Sequence, residues 1–385
     1  MNSELLILSH SNHFGRKLFK KGELNKLSGN KFNLYFNIET LNGRLETFDD
    51  HATDYKSYHS IGRQKSYLIF LKKLIDNIID NDLTILDIGC NNAELLRLLN
   101  TKHKMYRMLG VDPSIKDREG ENIFLKKGLF SKKMALDLGN KWKELSIIIA
   151  RQVLEHVPDL FDFISGINIL SSNKTKLIIE VPDFTENLYA GDITTIFCEH
   201  IYYLTLPGID KLFQKHGWYI KKYWRFEYWG GSLLILFTKE KINDLSWDHE
   251  KKVLVNLAKD FRNKINSNNE RIKNYLNIRR QSLGKGILCY GIGNRALQLF
   301  AFSDWLDLID NFVDSDPSKD GLYIPYNERR IIPIADSTNE IVSYHTIFIT
   351  GFGYEQQILV YLKKYFQKNN IQVVCMDPYL RFLIL

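Results

Sequence analysis

The residues with the most chemical potential lie in Leu83-Thr-Ile-Leu-Asp-Ile-Gly-Cys-Asn-Asn-Ala-Glu-Leu-Leu96. An apolar strand runs into Asp87, a tight turn follows at Gly89, and a helix begins near Asn92. Glycine lets the main chain approach a ligand closely, and the first turn of a helix offers N–H groups with no partner inside the helix. Position 91 is Asn, the non-glycine residue that best tolerates left-handed backbone angles, and position 93 is Ala, small enough for close helix–strand packing. A second carboxylate, Asp112 in Leu109-Gly-Val-Asp-Pro113, ends the next strand 25 residues after Asp87. Two pairs, Glu155-His156 and Glu199-His200, place an imidazole beside a carboxylate. Imidazole titrates nearest neutral pH, where proton transfer is most effective. Further on, Gly291-x-Gly-x-x-Ala296 with Asp314 behind it imitates a dinucleotide fingerprint.

These residues need a scaffold, and the hydrophobic pattern supplies one. Buried strands are expected at Thr84–Ile88, Met108–Val111, Ser146–Ala150, Lys176–Val181 and Ser232–Phe237, with helical stretches such as Ala93–Leu99 between them. Strands of this kind alternating with helices imply a parallel sheet covered on both faces. Tyr67–Ile79 has apolar residues at helical spacing and leads into that sheet, while Lys31–Ile38 alternates as a strand does. His249–Ser282 is long, charged and free of Pro and Gly, so it reads as a solvated connecting helix. A second series starts at Gly286, with Ile287–Tyr290, Phe312–Val313, Thr346–Thr350 and Val373–Cys375 as its strands. The division expected is residues 1–60 as an N-terminal segment, 61–245 as the core, 246–285 as the helix, and 286–385 as a smaller α/β domain.

The Asp87–Ala93 turn resembles motif I of the class I S-adenosylmethionine (SAM) methyltransferases, with Asn91 and Ala93 standing where that motif has its second and third glycines. Asp112 then resembles the carboxylate that holds both ribose hydroxyls of SAM, a bidentate task suited to a group that only accepts. Ile147 to Pro158 is similar to motif IV and its loop, which implies that Ala150, Arg151 and Gln152 lie beside the methionine end of SAM. Leu177-Ile-Ile-Glu-Val-Pro182 matches the strand that follows. The fold implied is α/β: a class I methyltransferase Rossmann-like core with a second, smaller C-terminal α/β domain.

Three further segments resemble the nucleotide-sugar C-methyltransferase family: Phe197-Cys-Glu-His-Ile-Tyr-Tyr203, Trp229-Gly-Gly-Ser232, and Tyr290-Gly-Ile-Gly-Asn-Arg295 with Asp314-x-Asp-Pro-x-Lys319. Asp54 to Ser60 is similar to the Tyr- and Ser-rich segment before the family's cofactor core. The resemblance implies methyl transfer to carbon beside a ring ketone. His200 would remove the α-proton, Glu199 would orient or polarise His200 or contact a substrate hydroxyl, and Tyr55 or Tyr58 would donate to the developing oxyanion. His156, Gly230, Gly231, Ser232, Arg295 and Lys319 are the residues it suggests for the substrate, with the two cations against a diphosphate. Family members usually begin with a cysteine-rich zinc-binding domain. This chain has no cysteine before Cys90, so no metal is expected.

Composition narrows the alternatives. The 385 residues are 44% hydrophobic and 25% charged, which excludes wholesale disorder. The net charge of +7 comes from 52 basic residues against 45 acidic ones, a weak start for nucleic-acid binding. No apolar run approaches the ~20 residues of a membrane span, and Met1–Lys20 lacks a secretory core, so no membrane partner is expected. Four scattered cysteines fit a reducing cytoplasm. The competing readings are an O-methyltransferase acting on a sugar or surface-glycan precursor, and a non-catalytic binding protein with a decayed cofactor site.

Overall fold

A computed structural model of the chain describes residues 3–13, 18–21, 23, 30–47, 63–78, 83–100, 107–227, 230–241, 245–334, 343–365, 371–376 and 379–385. Tyr55 and Tyr58 lie outside the described residues. Strands β1 (Glu4–His13), β2 (Asn30–Asn37) and β3 (Gly43–Thr47) pair antiparallel in succession. Phe32, Leu34 and Phe36 alternate along β2 onto one buried face, as the two-residue period of a strand requires. Helix α1 (Arg63–Ile78) follows and buries Leu68, Leu71 and Ile75, one stripe at helical spacing.

The central sheet is then built in turn from β4 (Thr84–Ile88), α2 (Glu94–Asn100), β5 (Arg107–Asp112), β6 (Ile123–Lys127), α3 (Lys132–Gly139), β7 (Leu145–Arg151), α4 (Leu160–Leu170) and β8 (Ser171–Pro182). After helix α5 (Phe184–Ala190), the two-residue strand β9 (Tyr202–Tyr203) leaves to pair with β3 in the N-terminal sheet. Helix α6 (Leu206–Gln214) brings the chain back to β10 (Tyr219–Phe226) and β11 (Ser232–Thr238). The seven strands lie in the order β10-β11-β8-β7-β4-β5-β6.

Five of these strands, β6, β5, β4, β7 and β8, are parallel, but β11 runs antiparallel to β8 and β10 antiparallel to β11. The expectation of a parallel sheet is therefore corrected at Ser232–Thr238. Every residue of β11 is buried, and a run apolar on both faces looks the same in either direction. Direction is set here by the short β10–β11 connection, which makes the two strands a hairpin.

Helix α7 (Asp248–Leu283) has 36 residues and so is about 54 Å long at 1.5 Å per residue. Leu254, Ala258, Phe261, Ile265, Ile272 and Leu276 form its buried stripe, with charged residues elsewhere. It leads into β12 (Ile287–Tyr290), α8 (Asn294–Ala301), β13 (Asn311–Asp314), β14 (Ile331–Pro333), β15 (Thr346–Ile349), α9 (Glu355–Tyr365), β16 (Gln372–Cys375) and β17 (Arg381–Ile384). These strands order as β14-β13-β12-β15-β16-β17, parallel except for β17. The N-terminal strands share one hydrophobic core with α7 and the C-terminal sheet, through Phe32 and Phe36, Phe261, and Phe300 and Trp305.

The N-terminal sheet also grips the segment that precedes α6. Thr205, wholly buried, donates its hydroxyl to the Leu41 carbonyl at 2.7 Å and accepts from Gly208 N–H at 3.2 Å, capping the helix. Its own N–H donates to Asn42 Oδ1 at 3.0 Å. Thr205→Val keeps the shape but strands a buried carbonyl and an uncapped N–H. The expected loss is about 2 kcal/mol, read as a lower urea midpoint with the slope unchanged.

Candidate active site

The carboxyl ends of β4 and β5 meet at the Asp87–Ala93 turn. Gly89 has φ +72°, and a Cβ there would overlap Val153 Cγ2. Asn91 (φ +48°) and Ala93 (φ +60°) are also left-handed, so the two replaced glycine positions keep the glycine-type backbone. For Ala93 this goes beyond the packing argument, since a left-handed alanine costs about 1–2 kcal/mol. Gln152, in the loop after β7, is a third non-glycine residue there, at φ +53°. Strain of this kind persists only where surrounding contacts impose it, and it gathers at functional sites.

The contacts that impose it are visible. Gly89 N–H donates to the Val111 carbonyl at 2.8 Å, and Asn91 N–H donates to Asp112 Oδ2 at 2.9 Å. Asp112 Oδ1 accepts from both the N–H and the hydroxyl of Ser114, at 2.8 and 2.6 Å. Asp112 thus faces the turn and holds it. Asp87 is 1% exposed, and among the described residues no hydrogen bond reaches either of its carboxylate oxygens or Asn91 Oδ1. Burial raises the Asp87 carboxyl to about 6; Arg151 lowers it and Asp112 raises it further. A buried carboxylate and an amide oxygen without donors suit a ligand that brings N–H groups and positive charge. The residues fit SAM, whose ammonium and sulfonium are cationic.

Beside the turn lies a polar chain. Glu180, inside β8, accepts from the Ser232 hydroxyl and from the Tyr67 hydroxyl, each at 2.7 Å. Gln152 Nε2 is 3.5 Å from Ser232 Oγ, and Gln152 N–H donates to the Glu180 carbonyl at 2.8 Å. Glu180 and Tyr67 do not stand out in the sequence as site residues. The available signal is an acid between Ile179 and Val181 in a buried strand, since a charge there must have partners.

The two Glu-His pairs converge. The rings of His156 and His200 sit edge to face with centroids 4.7 Å apart. His156 Nδ1 lies 2.8 Å from the Glu199 carbonyl, which can only accept, so Nδ1 carries the proton. Ile201 N–H donates to the Glu155 carbonyl at 2.7 Å, and Leu45 N–H of β3 donates to the Ile201 carbonyl at 2.9 Å. The N-terminal sheet therefore steadies the His200 segment. Glu199 meets the pair through its main chain, and Tyr203, 4% exposed, is a structural residue whose hydroxyl bonds Phe197.

Gly230, Gly231 and Ser232 line a cavity of about 240 Å³, with Asp183, Glu186 and Tyr379 among its other walls. Asp183 pairs with Arg225 at 2.7 Å. Burial, with Asp183 next, raises the Glu186 carboxyl. The two cations expected against a diphosphate are already paired. Arg295 bonds Asp192 at 2.9 Å and Thr194 at 2.8 Å and stacks 4.3 Å over Phe352, while Lys319 pairs with Asp314 at 2.8 Å.

Residues 61–223 match the family described as a methyltransferase domain. This segment includes the Asp87–Asp112 turn and resembles a methyltransferase domain. The C-methyltransferase NovU of Streptomyces niveus is similar, at 26% identity over 182 residues, covering 44% of this chain and 42% of that protein. The chain thus spans less than half the length of that curated relative. Among solved structures, a putative S-adenosylmethionine dependent methyltransferase from Listeria monocytogenes is 13% identical, with a TM-score of 0.35 over 46% of this chain and 100% of its own. A SAM dependent methyltransferase from Archaeoglobus fulgidus is 19% identical, with a TM-score of 0.35 over 51% and 87%.

A carboxyl raised in the folded state keeps its proton where the unfolded chain has released it. Its contribution to stability is therefore full below about pH 4 and lost as pH rises through 6. Asp87→Asn removes the buried charge. The stability of the ligand-free variant relative to the parent, read by urea unfolding, is expected to be greater at pH 8 than at pH 4 by roughly 2–3 kcal/mol.

Proposed function

We propose that the protein is a SAM-dependent methyltransferase acting on a nucleotide-linked keto sugar or a related small carbohydrate, with carbon as the acceptor atom. The observation that carries this reading is the gathering of the Asp87–Asp112 cradle, the Gln152–Ser232–Glu180 chain and the His156–His200 pair around one end of the central sheet. Ligands of open α/β sheets bind at the carboxyl ends of the strands. The name of the NovU relative, a C-methyltransferase, supports carbon over oxygen.

When bound, SAM supplies a methyl group activated by its sulfonium. Asp112 would hold the ribose hydroxyls, Asp87 would face the ammonium end, and Ala150, Arg151 and Gln152 would flank the methionine portion. The acceptor would sit between this cradle and the cavity at Gly230–Ser232. Carboxylates such as Glu186 suit sugar hydroxyls and repel phosphates, so the ring rather than the diphosphate belongs against them. An imidazole nitrogen of His200 would take the proton from the carbon beside the ketone, with His156 held at its edge by the Glu199 carbonyl. The protein's main contribution is then alignment of acceptor carbon and methyl group.

The test uses methyl-labelled SAM and a panel of nucleotide-linked keto sugars. His200→Ala is expected to lower turnover at least 100-fold while the SAM dissociation constant stays within about twofold. Asp112→Ala is expected to weaken SAM binding by about 10- to 100-fold in calorimetry. The methyl carbon shift of the product separates transfer to carbon from transfer to oxygen. Unchanged turnover in His200→Ala removes this residue from the reaction.

A further inference from the structure

Glu155, His156 and His200 bring one ligand atom each to within 4.8 Å of one another. We propose that these three residues bind a divalent transition-metal ion, with zinc and cobalt preferred over magnesium and calcium. The cysteine count argues against metal in the sequence, but this set needs no cysteine. Two imidazoles and a carboxylate are the donors that such ions favour, whereas magnesium and calcium favour oxygen alone. Bonds of about 2.1 Å put neighbouring ligand atoms roughly 3–3.5 Å apart. Closing from the present spacing requires movement of about 1 Å, within the reach of side-chain torsions.

Two independent features support the assignment. A metal-binding histidine almost always donates its second ring N–H to a carbonyl or carboxylate, which fixes the tautomer and aims the lone pair. His156 does so, with Nδ1–H on the Glu199 carbonyl at 2.8 Å, leaving the lone pair on Nε2. The main chain also locks the two segments together, since Ile201 N–H donates to the Glu155 carbonyl at 2.7 Å. Glu155 is 1% exposed and His200 7%, so the donors sit in a low-dielectric setting where a cation is a strong partner for a carboxylate.

The inference stands apart from the methyl-transfer reading, because it concerns binding alone. It also bears on that reading: one nitrogen of His200 cannot be ligand and base together. An ion here would bind an oxygen of the acceptor and acidify the neighbouring C–H or O–H, so occupancy decides between a Lewis-acid route and an imidazole base.

The experiment takes the full chain, stripped with a chelator and dialysed, and titrates it with cobalt(II) followed by visible absorbance and with zinc(II) followed by calorimetry. One equivalent binding in the micromolar range or tighter is expected, with magnesium at least 100-fold weaker. Glu155→Gln and His200→Asn should each weaken cobalt binding at least tenfold. SAM binding and thermal melting of both variants report folding, and His200→Asn replaces a side chain at the edge of the core rather than inside a strand. Absence of binding at 100 µM cobalt, equal affinity for magnesium, or folded variants that bind like the parent would each overturn the site.

Discussion

The hydrogen bond from Asn91 N–H to Asp112 Oδ2 is the constraint on which the rest depends. It ties the turn after one parallel strand to the end of its neighbour and fixes two features: Gly89, Asn91 and Ala93 in left-handed backbone, and Asp112 facing the turn. Two of those left-handed residues are not glycine, which costs free energy. The cost is offset by burial of the strands on either side, since Ile85, Leu86 and Met108 are fully enclosed. Stability from the sheet thus maintains a strained turn.

The C-terminal sheet contains a similar turn with different charges. Gly291 N–H donates to the Val313 carbonyl at 2.9 Å, as Gly89 does to Val111, and Ile292 N–H donates to Asp314 Oδ2 at 2.6 Å, one position earlier in the turn than the bond from Asn91 to Asp112. Two differences in charge set it apart. Where the first site has Asp87, the second has Cys289, a neutral thiol held up at about 12 by burial and bonded to Thr350. Asp314 is itself neutralised by Lys319. The first turn leaves the Asp87 carboxyl without a donor among the described residues, whereas the second has a thiol at that position and pairs its carboxylate with Lys319.

Much of this was legible in the sequence where one residue type has one physical use. The strand at Thr84–Ile88, the turn and Asp112 follow from apolar runs punctuated by Gly and Asp, and they match the structure within a residue. The long helix Asp248–Leu283 follows from the absence of Pro and Gly. What escaped depends on contacts between distant segments. The direction of β11 is invisible because its residues are buried on both faces. Nothing near Arg295 in the sequence announces its pairing with Asp192, about a hundred residues earlier and 2.9 Å away. Tyr67 is unremarkable in an amphipathic helix until its hydroxyl meets Glu180, and Glu199 acts through a carbonyl that no side-chain pattern encodes.

The N-terminal strands illustrate why a local motif does not complete a site. The His200 segment has little regular structure of its own; β9 is two residues long. It is held on one side by Glu155 through Ile201 N–H and on the other by β3 through Leu45 N–H, with Thr205 anchored to Leu41 and Asn42 beyond it. Each bond contributes only about 1 kcal/mol, but together they remove the freedom that a short loop would otherwise have. Gly43 fits this arrangement because a Cβ there would approach Tyr203 Cβ at 2.9 Å and Phe184 at 3.0 Å. The placement of the histidine pair therefore depends on a sheet whose first three strands precede residues 61–223, and changes in β1–β3 should move the pair while leaving the Asp87–Asp112 turn, built from β4 and β5, in place.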